Sequence, residues 1–88
     1  MEVTIAIIVE DRDGNNHVNV KPFKEHKAAS EYLFNEYLDC KAVISEDSDG
    51  LDTDSVTKLG EESCSEFFVM DDDNNYWAMG RIETKEVE

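Results

Sequence analysis

Apolar and polar residues alternate with a period of two near both ends of this chain, while its middle repeats at the spacing of a helix. Val3 to Glu10 predicts a strand, with Val3, Ile5, Ile7 and Val9 on one face and Ala6 and Ile8 on the other. Apolar residues on both faces suit an interior strand covered on both sides. Asp11-Arg12-Asp13-Gly14-Asn15-Asn16 is a run of turn formers in which Gly14 accepts a positive φ at little cost. His17 to Lys21 then sets Val18 and Val20 against His17, Asn19 and Lys21, which completes a hairpin, and Pro22 is expected to end its pairing.

Lys24 to Cys40 predicts the main helix. Projected at about 100° per residue, Ala29, Leu33, Phe34, Tyr37, Leu38 and Cys40 share a broad apolar face, with Glu25, Glu31, Asn35, Glu36, Asp39 and also Tyr32 opposite. The apolar run Lys41 to Ser45 reads as a third strand, and Glu46 to Asp54 as a polar loop around Gly50. A short helix over Thr53 to Leu59 is expected next, with Asp52 as cap and Gly60 as stop. Glu66 to Asp71 and Tyr76 to Thr84 flank Asp72-Asp73-Asn74-Asn75 as a second hairpin, and residues 84–88 read as a frayed tail. The order ββα-β-ββ predicts a single α+β domain: a mainly antiparallel sheet of four to five strands with one main helix on one face.

Charge changes this picture most. The 88 residues hold 22 Asp and Glu against 8 Lys and Arg, a net charge of −14. From Ala42 to Asp73 there are eleven acids and one base, Lys58, so ten of the fourteen net charges fall in that segment. Such a field repels nucleic acid and anionic membranes and attracts basic surfaces. A direct nucleic-acid binder needs clustered Lys and Arg, and the one basic cluster, Lys21, Lys24 and Lys27, is flanked by acids. The aromatic and β-branched content argues for a folded domain rather than an acidic disordered chain. No segment reads as a signal peptide or membrane span, and Cys40 and Cys64 lack metal-site or framework spacing. Reduced, buried thiols in a cytoplasmic protein are expected, with a single disulfide as the alternative.

Candidate chemistry is sparse. Aligning Gly50 with the sixth position of a calcium loop places Ser45, Asp47 and Asp49 at positions 1, 3 and 5 but Val56 at position 12, where a bidentate Glu is needed. The same alignment on Gly14 puts Val9 and Val20 at positions 1 and 12. His17 and His26 have no partner at metal-ligand spacing, and Ser63-Cys64-Ser65 lacks the glycines of a nucleophile elbow. Catalytic, cofactor and metal residues are therefore expected to be none.

The acidic segment itself remains. Residues two apart in extended chain lie about 6.6 Å apart, so Asp47/Asp49, Asp52/Asp54 and Asp71/Asp73 could set carboxylates at a spacing comparable with phosphates on one nucleic-acid strand. The expected contact set is Glu46, Asp47, Asp49, Asp52, Asp54, Asp71, Asp72 and Asp73, with Tyr32 and Tyr76 as aromatic anchors. The partner would be a basic protein surface, such as that of a nucleic-acid-binding protein. In size, acidity and α+β character the chain resembles nucleic-acid mimics and small inhibitors encoded by phages and mobile elements, a likeness of general character carried by no motif. It implies a non-enzymatic inhibitor, monomeric or homodimeric. The alternatives are a small acidic accessory subunit acting through an apolar edge or a homodimer, a minor hydrolase-like activity at an acidic metal site, for which no motif is present, a purely solubilising charge, and a halophile's surface, which six Lys and two Arg make less attractive.

Overall fold

The computed structural model describes residues 2–47, 51–72 and 75–86. Strands β1 (Glu2–Arg12) and β2 (Asn15–Phe23) are joined by Asp13-Gly14, whose φ values of 54° and 88° are both positive. Two such residues make a type I′ turn, the form whose twist matches a strand pair, and Asp-Gly is among its preferred dipeptides. The Asp11 carboxylate accepts the Gly14 N–H at 3.0 Å and closes the turn. Helix α1 (His26–Asp47) follows, then β3 (Leu51–Gly60), β4 (Ser63–Asp71) and β5 (Tyr76–Glu86). All pairings are antiparallel and the sheet order is β2-β1-β5-β4-β3. This is the α+β arrangement, in the element order ββα-β-ββ, that the sequence pattern predicts.

Several local expectations are corrected, among them the Glu46 to Asp54 loop, of which Glu46 and Asp47 are helix and Leu51 to Asp54 are strand. Lys41 to Ser45 is helix, not strand. Ile44 lies eleven residues beyond Leu33 and seven beyond Tyr37, so it prolongs the stripe that the helix already buries, and Leu33, Tyr37, Cys40 and Ile44 share one core cluster. Leu38, about 140° round the helix from Leu33, is 45% exposed. Thr53 to Leu59 is strand, not helix. There the β-branched Thr53, Val56 and Thr57 pair along β4, and Val56 packs against the core. Pro22 lies inside β2, opposite Ile5. Counting pairs from the turn puts it at a non-hydrogen-bonded position of an edge strand, where its missing N–H removes no ladder bond. Thr84 to Glu86 are paired strand, with Glu86 opposite Glu2, rather than a tail; residues 87 and 88 lie outside the described residues.

The helix covers one face of the sheet only. It takes the side carrying Thr4, Ala6 and Ile8 of β1, Phe67 and Val69 of β4, and Tyr76, Ala78 and Gly80 of β5. Close approach explains the choice. A Cβ placed on Gly80 would lie 2.3 Å from the Phe67 ring and 2.8 Å from a Leu33 methyl. Ala6, Ala78 and Gly80 thus leave room for Leu33 and Phe67 to interlock, which the bulky opposite face could not. Val3, Ile5, Ile7 and Val9 are therefore not covered as expected. They are half-buried by their neighbours in the sheet, and no element lies over them among the described residues.

Candidate acidic interface

The chain's two hairpin turns and the end of its helix meet at one end of the sheet. The Asp13 N–H donates to the Asn75 carbonyl at 2.8 Å, tying the β1–β2 turn to the β4–β5 turn. Val43 and Ile44 of α1 close over both, leaving a cleft of about 270 Å³ lined also by Arg12, Asp13, Asp71, Asn75 and Tyr76. Leu51, the first residue of β3, pairs with Asp71 and brings Asp52 to the same end. The topology thus gathers Asp11, Asp13, Asp52, Asp71 and Asp72 with the helix terminus that carries Glu46 and Asp47. These come from four separate segments.

The helix terminus adds to the negative field. The last turn of α1 contains no basic residue, although the unsatisfied carbonyls of a helix end favour cations and disfavour acids. Charge is placed where it opposes helix stability. A second crowding occurs on the helix flank facing β1, where Glu36 has its carboxyl held above the ordinary range by burial and by the nearby Asp39 and Glu10 carboxylates.

Residues of the expected contact set take different places in the fold. Asp52 and Asp72 are exposed. Asp71 is 5% exposed and accepts the N–H groups of Asn75 and Tyr76 at 2.9 and 3.3 Å, so it shapes the β4–β5 turn instead of facing a partner. Asp54 accepts the Tyr37 hydroxyl at 2.5 Å and pairs with Lys41 at 3.1 Å, joining β3 to the helix. Burial and that acceptor push the Tyr37 phenol up, while the Asp54 contact raises the Lys41 ammonium. Asp49 and Asp73 lie outside the described residues, as do the side chains of Glu46 and Asp47.

Both tyrosines make contacts within the fold. Tyr76 is 5% exposed beneath Arg12, whose guanidinium lies 5.4 Å from its ring centre, and burial beside Cys40 raises its phenol. Tyr32 is half-buried against Phe23, with ring centres 5.3 Å apart and the Lys21 ammonium 4.8 Å over its ring. Its hydroxyl accepts from Asn19 at 3.4 Å. Tyr32, on the polar half of this helix, packs at the seam between the helix and β2. Sequence reasoning missed Asp11 and Asp13 as members of the acidic end; their place in an Asp-Gly hairpin turn was the available signal, but the second turn that meets them is distant in sequence.

Cys40 and Cys64 are both buried and unpaired. Burial pushes each thiol up to about 11, which removes thiolate character at neutral pH. Among the described residues no group of three or more His, Cys, Asp or Glu converges as a metal site, and no helix is long and apolar enough to cross a membrane. The chain matches no known family, no curated protein and no solved structure.

Proposed function

We propose that this protein is a non-enzymatic binding module whose acidic end occupies a basic cleft on another protein, as an inhibitor of the nucleic-acid-mimicking kind made by phages and mobile elements and acting in the cytoplasm. One observation carries the reading. Acids from four segments distant in sequence are assembled at one end, including a helix terminus where negative charge costs stability. A charge that served only solubility has no need to converge or to sit at an unfavourable terminus. Exposed Asp13, Asp52 and Asp72, with the helix terminus, supply steering and on-rate, while Asp71 and Asp54 hold the scaffold.

The test uses substitutions that spare the scaffold. Asp13→Asn suits the type I′ turn as well as Asp does, and Asp52→Asn and Asp72→Asn change exposed side chains. The wild-type chain is expected to displace labelled DNA or RNA from a basic nucleic-acid-binding protein at low salt without binding nucleic acid itself. The triple variant should compete at least about tenfold less well, mainly through slower association. Equal competition by the variant, or no displacement from any basic target tried, assigns the acidity to solubility.

A further inference from the structure

The sheet face opposite the helix is the other unusual surface. Strand register places Val18 and Val20 of β2, Ile7 and Val9 of β1, Trp77 and Met79 of β5, and Phe68 and Met70 of β4 on it together. Val18, Val20 and Met79 are 65%, 56% and 36% exposed. Phe68 and Trp77 stack at 6.2 Å between ring centres, in the half of the face nearer the two turns. The same face carries Asp11, Glu66 and Glu83 against Arg81 and Lys85, a net −1, with Arg81 and Glu83 paired at 3.1 Å. The rest of the chain therefore carries −13 of the −14.

We infer that this open face is a homodimer interface, in which two copies stack sheet on sheet with their helices outward. Area supports a second copy. Five strands about 4.8 Å apart and about 30 Å long give a face of roughly 700 Å², and two such faces together reach roughly 1,400 Å², within the range of stable protein interfaces. Twisted sheets of this size pack face to face about 10 Å apart. Charge supports it as well. A basic partner is drawn to the −13 surface, not to a nearly neutral one, whereas two copies joined here keep their acidic helix flanks on opposite sides of the pair. The inference is independent of the proposed function and leaves Asp13, Asp52 and Asp72 of the acidic end outside the stacked faces.

Two properties distinguish this contact from acidic binding. Self-association should strengthen as salt rises to about 1 M, where the Debye length falls to about 3 Å and residual repulsion is screened; a charge-steered complex weakens instead. Trp77, the only tryptophan, lies on this face, on the central strand β5 beside the turns, so its emission should shift to shorter wavelength over the same concentration range. The experiment is sedimentation equilibrium of the full chain at low and high salt, with tryptophan emission recorded across the same dilutions. Wild type should reach twice the chain mass. Val20→Lys and Met79→Lys, both at exposed positions, should raise the dissociation constant at least tenfold while leaving circular dichroism unchanged. Because each lowers the net negative charge, greater global repulsion cannot explain their effect. A wild type that stays monomeric at both salts overturns the inference and leaves the face to a different protein. A dimer without a tryptophan shift, or one indifferent to both substitutions, overturns it in favour of pairing through a sheet edge.

Discussion

Gly80 and Asp71 show how much single residues decide here. Gly80→Ala forces a methyl group into the Phe67 ring and Leu33, so a loss of about 1–3 kcal/mol is expected in urea unfolding; an unchanged midpoint would mean that the helix stands farther from the sheet. Asp71→Ala leaves the buried N–H of Tyr76 and the part-buried N–H of Asn75 without their acceptor, with an expected cost of about 1–3 kcal/mol on the same measurement. Ionisation gives two further expectations. Glu36 is raised in the folded chain, so folding favours its protonated form. Its contribution improves as pH falls through the folded value and is complete below the unfolded one. Glu36→Gln should stabilise at pH 7 and make little difference in acid. For Cys40 and Cys64, raised to about 11, the unfolded chain ionises first as pH rises. Stability should fall between about pH 9 and pH 11, and less steeply in Cys64→Ala than in wild type once the offset at pH 7 is subtracted.

Elements were legible where their pattern was long and local. Both hairpins and the centre of the helix follow from period and turn residues alone. Lys41 to Ser45 misled because a short apolar run suits either a strand or one more buried turn, and only the position of Ile44 above the sheet chose between them. Thr53 to Leu59 misled in the other sense, since capping signals at Asp52 and Gly60 were outweighed by pairing with β4. The helix terminus offers a direct check of the proposed conflict between charge and stability. Asp47→Lys should raise stability by about 0.3–1 kcal/mol in thermal or urea melts at low salt, an increment that salt reduces. A destabilised variant would show that the acid makes a favourable contact of its own.

The whole molecule has two unlike surfaces, one charged and one apolar, and they should respond oppositely to salt. Stability of the fold should itself rise with added salt, because compacting a chain of net −14 works against self-repulsion. Melting temperatures recorded from low salt to about 0.5 M would check this, and a flat or falling trend would show that the acids are individually compensated.

The amino-acid order by itself determined the net charge, which is a sum over residues, and the class of the domain and its two hairpins, because periodicity and turn chemistry act over a few residues. Tertiary structure decided the rest. It chose which face of β1 lies under the helix, through the small side chains of Ala6, Ala78 and Gly80 on two strands far apart in sequence. It turned Tyr76 and Asp71 inward, and it brought Asp13 beside Asn75. Local pattern states how apolar each face of a strand is. Which face is covered depends on how closely another element can approach, and that distance is set by residues the local pattern does not bring together.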